Sequence, residues 1–404
     1  MANSVAYQAT TAVQNLQTML RSYAAGRLPN RFVGQFLDDE GRKGCQYGVY
    51  GMGAWVALME DQGNEIRNDP AVRTLSTDCK QELRRLINAA SKESTETRAR
   101  DIRSVIPKAC YAYLGLSRSI DCQSEINLLL SWIGAAQQHD GSWGYLATSS
   151  QGCPEVTALV VRNFSSARTL ADQIRDAITY LRGALAGISN PYVKLYVLNT
   201  IAIHSNGSAL SEDLRKIKAT VATLLNQAFF NPTQFPNPIN FDFNDADRTR
   251  YIRLSTDVIL LESLTVLSGT HKLYVRGHPG LRVFGHMLET LSSPPTTDSS
   301  GHRMTPPSAY HLYRCLAPLT KTKQSSGLIG VFERLWAFAV CSWAFGVNIG
   351  WNFLALTICL IGLILATTMG GQLLIGGLAG ALMKTTLDTV KSVYNSLRQF
   401  GGNE

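Results

Sequence analysis

The sequence predicts an all-α protein that ends in a pair of membrane helices. Three observations carry this. Apolar residues recur at helical spacing across residues 5–292, convincing alternating strands are absent from that range, and Leu335 to Met383 contains no Asp, Glu, Lys, Arg or His. Spacing of three to four residues lines one side of a helix, whereas a half-buried strand would alternate. Stacked helical hairpins ahead of an apolar tail are therefore the expected plan.

Residues 5–25 read as a first helix with Val5, Val13, Leu16, Leu20 and Tyr23 on its apolar face, and Pro29 ends it. The following Gly- and aromatic-rich stretch, Tyr47 to Leu58, has small residues that let another helix approach closely. Further apolar faces cover 71–91, 99–118, 122–138, 154–169, 171–186, 190–204, 211–228, 249–268 and 276–292. Glu93 to Arg98 reads as a solvated junction, residues 294–307 as a Pro- and Ser/Thr-rich linker, and Ser308 to Leu316 as a last short helix. The domains expected are a helical body over 1–293, a linker with a juxtamembrane helix over 294–327, a transmembrane hairpin over 328–384, and a polar tail over 385–404.

An α-helix crosses a bilayer with about 20 apolar residues because its backbone hydrogen bonds close internally. Lys321, Lys323 and Arg334 precede the uncharged stretch, and Lys384, Lys391 and Arg398 follow it. With both basic flanks on the cytoplasmic side the number of crossings is even, which favours two. That places the body and the tail in the cytoplasm, with the lipid bilayer as a partner; a buried helical pair in a soluble fold is the alternative. Gly376-x-x-x-Gly380 suits close packing of membrane helices and hence a homo-oligomer. The formal charge of +8 is spread along the chain without a basic block, so no specific nucleic-acid partner is expected. Eight cysteines without C-x-x-C spacing point to reduced, mostly buried thiols.

The sharpest internal motif runs from Ile133 to Gly144 and contains Gln137, Asp140, Gly141 and Trp143. A helix ending near Gln138, a turn at Asp140-Gly141 and an aromatic plate returning on the helix end account for it physically. The motif resembles the Gln-Trp repeat of squalene/hopene cyclases and related prenyltransferase-type α/α toroids. Leu37 to Gly41 and Gly152 to Leu159 are weaker versions, so the resemblance covers residues 30–292 and implies an α/α toroid. A general helical solenoid is the competing architecture.

The resemblance also says where an acid would sit. Class II terpene cyclases of this fold carry Asp-x-Asp-Asp, and the similar place here is Asp245-Ala246-Asp247-Arg248, with Arg248 where the last Asp would stand. Asp247 as general acid, with Asp245 beside it, acting on an isoprenoid is thus the alternative function. Arg248 opposes the raised pKa such an acid needs. Phe229, Phe230, Phe235, Phe241, Phe243 and Tyr251 surround this segment and would suit an apolar or isoprenoid ligand, or ordinary packing. Cys315 follows His311 by four, an acceptable ligand spacing on a helix, but without the Asp-x-Cys pattern of the zinc prenyltransferases no metal or cofactor is expected. No nucleotide-binding or hydrolase motif is present. No catalytic residue is favoured. The leading expectation is a membrane-tethered recognition module for a ligand or protein partner, a plan that resembles bacterial membrane-disrupting defence effectors.

Overall fold

The computed structural model describes residues 5–27, 31–34, 40–42, 48–92, 101–205, 207–230, 239–245, 248–270 and 305–320. The chain divides into two compact units, Met1–Val266 with Val283–Thr322, and Leu267–Arg282 with Lys323–Glu404. Apart from the end of one helix at Thr270, the second unit lies outside the described residues.

In the first unit α1 (Val5–Ala25) leads into a short ribbon, β1 (Arg31–Val33) with β2 (Glu40–Arg42). Then come α2 (Val49–Asp61), α3 (Asn64–Arg67), α4 (Pro70–Lys92), α5 (Ile106–Leu116) and α6 (Gln123–Ala135). They are followed by α7 (Pro154–Phe164), α8 (Ala171–Ala184), α9 (Pro191–Ile203) and α10 (Gly207–Phe230). An antiparallel hairpin, β3 (Ile239–Asp245) with β4 (Arg248–Leu254), precedes α11 (Thr256–Thr270), and α12 (Pro306–Thr320) closes the unit.

Proline marks the first turn of several helices, where its missing N–H costs nothing and its fixed φ suits the helix. Asn190 Oδ1 accepts from Tyr192 N and Val193 N at 2.9 and 3.4 Å, which starts α9 at Pro191. Asp69 Oδ1 starts α4 in the same way, accepting from Ala71 N and Val72 N at 3.1 and 3.2 Å. Capping carboxylates and amides satisfy donors that no intrahelical carbonyl can reach.

Helix α2 is buried from Val49 through Met59 and packs against α4, α5 and α12, while α1 packs on α12 and α4. Its glycines set the distance to α5. A Cβ on Gly53 would stand 2.0 Å from Tyr111 O, and one on Gly115 would stand 2.9 Å from Gly53 Cα. The close helix approach expected from the small residues between Tyr47 and Leu58 is realised here. Further along, α7 packs against α5, α8 and α9, and α10 against α9.

Several expectations are corrected. The described residues form a helical bundle with two short ribbons, not a toroid of stacked hairpins. A single clear Gln-Trp turn fixes the corner between two helices; it does not dictate closure of a ring. Residues 249–268, expected as one helix, divide between β4 and α11, and the strand signal was present in Ile239-Asn-Phe-Asp-Phe-Asn-Asp245, which alternates apolar and polar residues.

No helix among the described residues is long and apolar enough to cross a membrane. The transmembrane hairpin expected over 328–384, with Gly376 and Gly380, lies outside the described residues. The membrane anchor, the bilayer partner, the oligomer through membrane helices and the membrane location therefore find no helix to carry them among the described residues. An uncharged run meets the composition of a membrane span without establishing that it forms one. The five described cysteines, Cys79, Cys110, Cys122, Cys153 and Cys315, are free thiols, and all but Cys153 are buried.

Candidate functional site

The Gln-Trp turn is a buried corner. Gly141 has φ of 86°, a left-handed conformation that glycine adopts without a Cβ clash, and a Cβ there would also stand 2.8 Å from Asp176 O. Asp140 Oδ1 accepts from Ser142 N at 3.0 Å. Gln137 Nε2 donates to Gly141 O and to Gln173 O on α8, both at 2.9 Å. Trp143, wholly buried, donates its indole N–H to Ile133 O at 2.8 Å. Its backbone N–H donates to Thr157 Oγ1 at 3.0 Å, and its carbonyl accepts from Cys153 N at 2.9 Å. These bonds tie the end of α6 to the start of α7 and to α8.

A second centre brings chemistry-bearing groups together in the interior. Arg162 on α7 and Glu262 on α11 form an ion pair with the arginine side chain only 9% exposed. Its Nη1 and Nη2 donate to Glu262 Oε1 and Oε2 at 2.6 and 2.9 Å, a two-pronged contact of the strongest kind available to these side chains. Arg162 also donates from Nε to Thr200 Oγ1 at 2.6 Å and from Nη2 to Tyr196 O at 3.0 Å. Its guanidinium carbon lies 4.0 Å from the centroid of the Tyr196 ring, a cation–π contact. Asn199, on the same helix as Tyr196 and Thr200, donates from Nδ2 to Glu262 Oε2 at 3.2 Å and to Ser263 Oγ at 2.9 Å.

Burial works against the charge on Arg162, but the Glu262 carboxylate outweighs it and holds the guanidinium firmly protonated. Burial likewise raises the Glu262 pKa, and Arg162 more than offsets this, so the carboxyl stays below its ordinary value. His311 on α12 shares the centre. Burial drives its pKa down to about 3, against the pull of Glu262, with Arg162 and Arg314 adding to the depression. Burial, followed by Glu262, pushes the Cys315 thiol up, so it stays protonated. The His311 and Cys315 spacing noted in the sequence thus reaches this centre, but no group of three or more His, Cys, Asp or Glu that could hold a metal occurs among the described residues.

The residues of the cyclase alternative are described only in part. Asp245 ends β3 in register with Arg248 at the start of β4, and Asp247 lies outside the described residues. No cluster of catalytic acids stands out among the described residues. Phe241 and Phe243 lie in β3 opposite Ile252 and Arg250, whereas Tyr251 lies opposite Asp242. Phe229 and Phe230 end α10, and Phe235 lies outside the described residues.

Sequence reasoning missed Arg162, Asn199 and Glu262. A signal was available: Arg162 follows Val-Thr-Ala-Leu-Val-Val, and Glu262 interrupts Val-Ile-Leu-Leu and Ser-Leu-Thr-Val-Leu. A single charge inside an apolar helix demands a partner. Comparison with models of protein families and with curated proteins finds no match to this chain.

Proposed function

We infer that the described unit is a non-catalytic structural scaffold whose Arg162–Glu262 centre locks α7, α9 and α11 in one register. Saturation carries this reading. The guanidinium makes four hydrogen bonds to protein, and Glu262 accepts three. A group that binds or transforms a guest needs donors or acceptors aimed at that guest. These two charges are instead directed at each other and at α9. Burying a pair this completely is costly in desolvation, and its use here is to specify which helices meet and at which turn.

Arg162→Met alone strands a buried carboxylate and is expected to cost about 3–5 kcal/mol. Arg162→Met combined with Glu262→Leu removes both charges and is expected to recover most of that loss. Thermal unfolding of the full chain in phosphate, diphosphate, acetate and citrate should leave the midpoint where it stands in matched chloride. A wild-type rise in one of these anions that disappears in the folded double variant would show a binding site and overturn the scaffold reading.

A further inference from the structure

A buried polar atom without a hydrogen bond is costly, so two of them at one charged centre call for a physical cause. Asn199 and Tyr111 are both 0% exposed, and Asn199 Oδ1 and the Tyr111 hydroxyl have no hydrogen-bond partner among the described residues. The amide orientation is fixed by its neighbours. Ser263 donates its hydroxyl proton to Ile259 O at 3.0 Å, so its oxygen can only accept from Asn199. Glu262, ionised, also only accepts. Turning the amide over would aim its oxygen at two acceptors, which leaves Oδ1 as the atom in need of a donor.

Tyr111 supplies the complementary need. It projects from α5, where its ring meets Tyr50 edge-on at 5.9 Å, and it lies near enough to Tyr196 and Arg162 to interact with both electrostatically. Asn199 sits one turn beyond Tyr196 on α9 and shares Glu262 with Arg162. A phenol O–H seeking an acceptor and an amide oxygen seeking a donor therefore belong to the same interior centre.

We propose that Asn199 Oδ1 and the Tyr111 hydroxyl hold internal water, one molecule or a short chain, at the edge of the Arg162–Glu262 pair. Water donates to the amide oxygen and accepts from the phenol. A carboxylate guest would satisfy Tyr111 but face Oδ1 with another acceptor, and a cation would meet Arg162. Internal water completes the hydrogen bonding of the lock without replacing any of its bonds.

The test is a crystal structure of the full chain with ordered solvent, together with water oxygen-17 relaxation dispersion on wild type and Tyr111→Phe. Expected are solvent density within about 3.2 Å of each atom, loss of long-lived water in Tyr111→Phe, and a lower unfolding midpoint for that variant. A dry centre, with Tyr111→Phe unfolding at a higher temperature because an orphaned hydroxyl has been removed, would overturn the water site and leave the scaffold reading intact. Density too large for water would overturn both. If Tyr111→Phe fails to fold, the wild-type density decides alone.

Discussion

Replacing Trp143 tests whether the corner between α6 and α7 is a structural keystone. The ring is 0% exposed, and its indole N–H reaches Ile133 O at 2.8 Å. A tryptophan removes up to about 250 Å² from water, which at about 25 cal/mol per Å² sets an upper bound near 6 kcal/mol. Denatured chains already bury part of that area, and measured losses for buried tryptophan to alanine are about 3–5 kcal/mol. Trp143→Ala should therefore lose about 4 kcal/mol. Trp143→Phe should lose about 2 kcal/mol, since it keeps an aromatic plate and gives up one hydrogen bond worth about 1 kcal/mol and part of the contact area. Ile133 O keeps a second donor, Ala136 N at 3.2 Å, so the carbonyl is not orphaned in either variant. Urea unfolding of the full chain followed by far-ultraviolet circular dichroism measures both losses without relying on the deleted fluorophore. A loss below about 1 kcal/mol for Trp143→Ala would refute the keystone argument, because no fully packed ring leaves so little trace.

Two further outcomes follow from the interior. His311 is held neutral, with its pKa down at about 3 against an ordinary 6.5, so the unfolded chain binds a proton that the folded chain refuses. Its contribution to stability is complete above pH 6.5 and is lost as pH falls toward 3, at about 1.4 kcal/mol per pH unit. Glu262, also held below its ordinary value, adds loss below the normal carboxylate range of about 4.5. Urea midpoints at pH 8.0, 6.5, 5.5 and 4.5 should stay level to 6.5 and then fall, and His311→Gln should shrink the fall between 6.5 and 4.5, leaving the part that belongs to His204, whose pKa burial and then Arg162 also lower. A wild type that is flat to 4.5 contradicts the buried imidazole. Separately, Gly53→Ala puts a Cβ 2.0 Å from Tyr111 O, and because that neighbour is backbone, α2 and α5 must separate. Differential scanning calorimetry should show destabilisation of about 1–3 kcal/mol or more, and an unchanged transition would mean the helices are not in that contact.

The helices were legible because their signals are local. Asp69-Pro70 and Asn190-Pro191 announce starts, and the apolar spacing that follows each one becomes a buried face in the fold. The close approach of α2 and α5 was also legible, since Gly53, within the small-residue stretch from Tyr47 to Leu58, leaves room for the α5 backbone. The β3–β4 hairpin was hidden by its own phenylalanines. Phe241 and Phe243, read as the wall of a pocket, occupy alternate positions of a strand, and attention to period rather than to residue type would have found it. The toroid failed for another reason: Gln137, Asp140, Gly141 and Trp143 determine a corner through bonds within about 40 residues of chain, and assembly of the corners depends on contacts between distant helices.

The polar centre shows how such distant contacts can still leave a trace in sequence. Arg162 and Glu262 are 100 residues apart, so no motif window contains both. Each is nevertheless anomalous where it stands, a charge set beside an unbroken apolar run, and neither could be buried alone without a penalty larger than the marginal stability of a domain would tolerate. The two anomalies are of opposite sign, and a third, His311, lies in a helix that is otherwise apolar or neutral around it except for Arg314. Pairing isolated opposite charges drawn from apolar helices would have nominated Arg162 with Glu262 before any coordinates. It would not have supplied Asn199, whose amide looks ordinary in sequence and acquires its role only because Ser263 and Glu262 both face it as acceptors.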